Sequence, residues 1–153
     1  MFERTLVTGA KNALAILGKS GLLKDAYLAG GTAAALQLGH PVSIDFDFFT
    51  DKKFDPKEIS RELKELGSFS VEQDEKGTLT GKFNEINFSI FLYKYPVIFP
   101  LKKYLLISIS DIRDIAAMKL DAVSNRGAKR DFIDLYFICK SGYKIADVSK
   151  LIK

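Results

Sequence analysis

Two short segments of the chain carry residue types that together could handle phosphate. Gly30-Gly31-Thr32 is followed, after twelve intervening residues, by Asp45-Phe46-Asp47. The glycines stand between an apolar run ending at Ala29 and the alanine-rich stretch from Thr32 to Leu38, which reads as a strand entering a short helix. A turn free of side chains at a helix N-terminus lets backbone N–H groups face an anion. The segment from Ile44 to Phe49 alternates acidic and aromatic residues, and positions i and i+2 of a strand point to the same side. Asp45 and Asp47 are therefore expected on one surface, with Phe46 and Phe48 on the buried one. Hard cations such as Mg²⁺ or Mn²⁺ are held by one or two carboxylates plus substrate phosphates, so the pattern predicts metal-assisted phosphoryl or nucleotidyl transfer. Each half alone is weaker, because a Gly-Gly pair is commonly only a turn and an Asp-x-Asp strand commonly a solvated face. Two like charges side by side need a cation or donors nearby, however, which favours the functional reading.

Clustered positive charge is scarce, although basic residues outnumber acidic ones. Ser108-Ile-Ser-Asp111 reads as a capping box opening a helix that runs to about Asn125, with Ile112, Ile115, Ala116, Leu120 and Val123 as its apolar positions. Lys119 and Arg126 are seven apart and fall on nearly the same face. Toward phosphate a lysine acts as a point charge and an arginine as a planar fork. The alternative for Lys119 is a stem lying along a half-buried face with its ammonium in water. Arg126, Lys129 and Arg130 form the one tight basic group, for which a solvated loop between helices is the competing account. His40, the only histidine, sits in the loop before Pro41 and leaves no basis for a histidine metal cluster or a Ser-His-Asp triad.

The elements that must position these residues follow from periodicity and punctuation. Leu6, Ala10, Ala13, Leu14 and Leu17 predict an amphipathic helix from about Phe2 to Lys19, stopped by Gly18 and Gly21. Asp55-Pro56 with Glu58, and Phe54 with Ile59, are a dense helix-start signal, and Gly67 ends that helix after Leu66. Residues 68–74, 78–83 and 86–93 read as an antiparallel meander in a mixed sheet. Pro96 and Pro100 mark an irregular crossing, and a last apolar helix spans Asp131 to Lys140, closed by Ser141-Gly142. The 153 residues, 47% hydrophobic and without repeats or flexible linkers, are expected to form a single α+β domain over 1–153. Cys139, the lone cysteine, excludes an internal disulfide and a cysteine-cluster zinc site. The net charge of +4 permits a nucleotide or nucleic-acid partner without requiring one, since the lysines are scattered. The first residues lack the basic start and apolar run of a signal peptide, and no stretch is apolar for long enough to span a bilayer, so a cytoplasmic location with no membrane partner is expected.

Taken together, the glycine turn and acidic strand resemble the first two elements of the polymerase-beta-like nucleotidyltransferase pattern. The segments Arg113 to Leu120 and Arg126 to Leu135 resemble the C-terminal half of the AbiEii/AbiGii toxin nucleotidyltransferase family, and the likeness spans nearly the whole chain. It implies a minimal nucleotidyltransferase fold, a mixed sheet flanked by helices with further C-terminal helices. It also implies transfer of a nucleoside monophosphate from a nucleoside triphosphate. On that pattern Asp45 and Asp47 would hold Mg²⁺, and Gly30, Gly31, Thr32 and Ser43 would surround the triphosphate. Lys119 would offset charge on the leaving pyrophosphate, with Arg126 and Arg130 also on the nucleotide. Asp131 would orient an arginine, whereas Asp134 is read as local stabilisation of a helix first turn. Two-metal members carry a third carboxylate on a later strand, where this chain offers Asn87 and Ser89, with Glu85 at the strand start. Either Glu85, Glu72 or Asp74 substitutes, or one metal is enough, or the protein binds nucleotides without turning them over. The acceptor would be RNA, protein or a small molecule, and a cognate antitoxin is the implied partner. A phosphatase or sugar-nucleotide transferase fits less well, because Asp47-Phe48-Phe49-Thr50 lacks the continuation expected of the first and the chain is short for the second.

Overall fold

A row of apolar side chains crosses the middle of the molecule. In this computed structural model, which describes residues 1–39, 45–94, 96–125, 127, 129–144, 146, 147 and 150, seven strands form one sheet. They are β1 (Tyr27–Ala29), β2 (Asp45–Thr50), β3 (Phe69–Glu75), β4 (Thr78–Phe83), β5 (Ile86–Leu92), β6 (Lys102–Tyr104) and β7 (Ile107–Ile109), in the order β3-β4-β5-β2-β1-β7-β6. Pairing is parallel between β2 and β5 and between β1 and β7, and antiparallel elsewhere, so the sheet is mixed as expected. Leu79, Ile90, Phe48, Leu28 and Ile109 lie in register on five neighbouring strands and none is more than 2% exposed. Burying each such side chain contributes roughly 1.5–3 kcal/mol. A one-residue slip of β2 would drive both aspartates into this layer, so the core fixes the face on which they emerge.

Five helices flank the sheet: α1 (Ala10–Ser20), α2 (Gly30–Leu38), α3 (Pro56–Leu66), α4 (Ile112–Asn125) and α5 (Lys129–Lys140). α3 packs on β3 and β4, α1 on β7, and α2 contacts β1, β2, α4 and α5. Asp55 caps α3 by accepting from the Lys57 N–H at 3.0 Å, with Pro56 in the first turn. The fold is therefore the α+β arrangement anticipated, and several local details differ. The first helix begins only at Ala10, after a 3-10 turn at Glu3–Thr5, because Gly9 takes a left-handed conformation at its N-cap. Gly18 does not stop α1: a Cβ there would lie 1.9 Å from the Leu105 carbonyl oxygen, so glycine permits a close approach. Ser108 belongs to β7 and does not cap α4. That cap is Asp111, whose Oδ1 accepts from the Arg113 N–H at 2.9 Å. Among the described residues no helix is long and apolar enough to cross a membrane.

Candidate active site

The register that buries Phe46 and Phe48 leaves Asp45, Asp47 and Phe49 on the opposite face of β2. Parallel β5 places Asn87 beside Asp45, Ser89 beside Asp47 and Phe91 beside Phe49. Asn87 Nδ2 donates to Asp45 Oδ1 at 3.0 Å, and Ser89 Oγ donates to Asp47 Oδ1 at 2.9 Å. These neutral donors orient both carboxylates and offset their mutual repulsion without adding charge. Across β1, Ala29 pairs with Asp47, so Gly30 and Gly31 at the start of α2 come beside the acids. A Cβ on Gly30 would lie 2.7 Å from Asp47 Oδ2, and its φ of +69° is one that side chains disfavour. The buried Thr32 hydroxyl donates to the Asp45 carbonyl, tying the first turn of α2 to the start of β2. Thr32 thus shapes the turn around the acids from within the fold.

Side chains of α4 and α5 join this face of the sheet in lining a cleft of about 520 Å³, within the usual size of a ligand site. The floor is Gly30, Gly31, Asp45, Asp47, Phe49, Phe91 and Tyr93, and the roof is Ile115, Met118, Lys119, Asp121 and Ala122 with Asp131 from α5. Lys119 reaches the cleft, but its Nζ lies 2.9 Å from Asp131 Oδ1 and 2.8 Å from Asp134 Oδ2. All three side chains are largely buried, with Lys119 12% exposed. The ammonium expected on the outer phosphates therefore binds α4 to α5. Asp134, expected only to favour a helix start, lies in the second turn of α5 and is one half of that clamp, because α5 begins at Lys129.

The other candidate acids are elsewhere. Glu85 is exposed in the β4–β5 turn, at φ +69° beside Asn84 at +48°, and does not line the cleft. Asp74 is in register with Leu79, hence on the face opposite Asp45 and Asp47, and Glu72 sits at a bulge in β3. Ser43, His40 and Arg126 lie outside the described residues, as does the side chain of Arg130 on α5. Among the described residues no group of three or more histidine, cysteine or acidic side chains is placed to hold a metal. Two carboxylates on one face are an all-oxygen donor set that suits one hard cation shared with phosphate oxygens.

Sequence reasoning missed Phe49, Phe91 and Tyr93. Phe49 extends the Asp45, Asp47 alternation by one more step, a signal that was available. Its ring centroid is 5.7 Å from Phe91, 5.4 Å from Tyr93 and 6.1 Å from the stacked Tyr27. Burial pushes the Tyr27 phenol well above its ordinary pKa, so that ring is a neutral backing for Phe49. The cleft thus runs in a line from glycines through acids to aromatics.

A family model described as "Nucleotidyl transferase AbiEii toxin, Type IV TA system" matches residues 12–110, a stretch holding the glycine turn, both acids, Asn87 and Ser89. The chain belongs to this AbiEii nucleotidyltransferase family. It is 40% identical over 155 residues to "Uncharacterized protein aq_aa25" of Aquifex aeolicus (strain VF5), covering 98% of the present chain and 75% of that relative. The AbiEii-family chain also superposes on JHP933 from Helicobacter pylori with a TM-score of 0.65 at 19% identity, over 97% of its own length and 72% of that protein. On the Megavirus polyadenylate synthase the TM-score is 0.59 at 16% identity, over 86% of the present chain; the chain spans 31% of that protein's length. At such identities the structural likenesses establish a shared nucleotidyltransferase fold.

Proposed function

We propose that the protein transfers a nucleoside monophosphate from a nucleoside triphosphate to an acceptor hydroxyl, with residues 1–153 acting as one unit. The observation that supports this reading is that Gly30 lies too near Asp47 to admit a side chain, with Gly30, Gly31, Asp45 and Asp47 all opening into one cleft. The acceptor oxygen would form the new bond to the α-phosphorus, pyrophosphate would leave with the bridging oxygen, and the acceptor proton would pass to water. A divalent ion, Mg²⁺ or Mn²⁺, bound there would supply Lewis-acid polarisation of the phosphate. Asp45 and Asp47 would hold that ion, with Asn87 and Ser89 fixing the carboxylates by their hydrogen bonds. The Gly30 and Gly31 N–H groups, at the positive end of α2, would receive phosphate oxygens. Lys119 keeps Asp131 in the cleft wall, and Arg126, Arg130 and Ser43 are proposed on sequence grounds for the outer phosphates. The acceptor is RNA, protein or a small molecule, and the family description suggests a toxin paired with an antitoxin.

A second reading, a nucleotide-binding module without turnover, draws support from the neutral Asn87 and Ser89 flanking the acids where a third carboxylate would stand. One experiment separates the two. Each triphosphate labelled at its α-phosphate is incubated with the protein and Mg²⁺, with and without total RNA. The enzyme reading predicts transfer of label by the wild type and none by Asp45→Asn or Asp47→Asn. Binding without transfer by the wild type, with transfer gained in Ser89→Asp, would establish the module instead.

A further inference from the structure

We propose that Phe49, Phe91 and Tyr93 form the base-stacking subsite of this cleft and receive the nucleobase of the donor triphosphate. The inference rests on the nucleotidyl-transfer reading for the identity of the ligand, and on its own geometry for where the base goes. Phe49, Phe91 and Tyr93 remain partly exposed where they line the cleft. On the other face of the same strands, Phe46, Phe48, Phe88 and Ile90 are at most 2% exposed. The three rings are therefore partly open to the cleft, as the core aromatics of this sheet are not. They stand 5.4 to 5.7 Å apart around Phe49, a continuous apolar ledge in a cleft whose other end is charged.

Helix α4 adds apolar side chains to the same cleft beside its polar Lys119 and Asp121. Ile115, Met118 and Ala122 recur at helical spacing on one face of α4 and line the cleft together with the three rings, an apolar lining that suits a flat ring. A thioether such as that of Met118 is also a favourable neighbour for an aromatic ring. The order of groups identifies the donor's base. Gly30 and Gly31 lie at one side of Asp47, and Phe49 follows it two residues along β2 in the other direction, about 7 Å away. A nucleotide whose outer phosphates meet the glycine turn and whose α-phosphate meets the acids must send its pentose and base toward the ledge.

The test is calorimetric binding in Mg²⁺ of an α,β-methylene nucleoside triphosphate, of inorganic tripolyphosphate, and of a single-stranded oligonucleotide, to the wild type and to Phe91→Leu and Tyr93→Leu. Leucine keeps apolar volume and removes the stacking face, and tripolyphosphate affinity reports that the folded phosphate site survives. The expected result is a loss of about tenfold or more in nucleotide affinity for each variant, with tripolyphosphate affinity unchanged. Unchanged nucleotide affinity in both variants overturns the subsite while leaving nucleotidyl transfer standing. A loss confined to the oligonucleotide assigns the ledge to an acceptor and likewise overturns it. Failure of the wild type to bind either triphosphate ligand removes the function and the subsite together.

Discussion

Lys119 illustrates how a charge can line a cleft and still be committed elsewhere. Its ammonium sits between Asp131 and Asp134, with Asp131 1% and Asp134 6% exposed, so removing it would take a close cationic partner from two buried carboxylates at once. Breaking a buried pair by deleting one partner is far more costly than losing a surface pair. Lys119→Ala should therefore lower the stability measured by urea unfolding by about 3 kcal/mol. A loss within ~0.5 kcal/mol of wild type would instead mark a surface-like residue and return Lys119 to the role of a free phosphate ligand. The lysine itself was legible in the sequence as a cleft residue. Its partners were not, because helical spacing places a side chain on a face of its own helix and says nothing about which residues of the next helix meet it.

At the scale of elements, the roof of the cleft depends on how α4 is anchored. Asp111 caps it through the Arg113 N–H and also meets the Arg113 guanidinium, Nε to Oδ1 at 2.9 Å, while that guanidinium lies 3.6 Å over the Phe99 ring. Asp114 accepts from the N–H groups of Ile98 and Phe99 at 3.0 and 2.9 Å, so the irregular crossing is tied to the same helix turn. Burial pushes the Asp111 carboxyl upward, but the Arg113 side chain and N–H outweigh it and hold the pKa below its ordinary value of 3.8. A folded-state pKa below the unfolded one means stability that is present above the unfolded value and lost as pH falls through the folded one. Asp111→Ala should cost about 1 kcal/mol at neutral pH, and the difference from wild type should vanish as pH drops below 3.8. A pH-independent difference in urea midpoints would contradict the cap. Sequence signals served unevenly here: Asp55-Pro56 was readable because cap and proline coincide, whereas Ser108 mimics a capping box while lying in a strand. The β6–β7 hairpin had no signal at all, since Leu105 and Leu106 turn the chain at φ +52° and +65° where glycine or asparagine would ordinarily announce it.

For the whole molecule, the acid pair was legible because a period of two fixes its face without knowledge of neighbours, and the apolar row through Phe48 enforces that choice. The cleft was not, because it is made by a crossover: β5 returns beside β2 after α3, β3 and β4, and α4, later in the chain, adds its side chains to the same cleft. That crossover brings Asn87 and Ser89 onto the aspartates, and α4 adds Met118 to the lining of the cleft that holds Phe91. The account accordingly stands or falls on the acids and the glycine turn forming one metal–triphosphate site. The most direct measurement is calorimetric titration of a nucleoside triphosphate into wild type, Asp45→Asn and Asp47→Asn, in Mn²⁺ and in chelator, with circular dichroism confirming that each protein is folded. The account predicts binding to the wild type that disappears in chelator and weakens by about tenfold or more in each variant, equivalent to ~1.4 kcal/mol. Equal affinity in all three folded proteins, or binding indifferent to the metal, would contradict it.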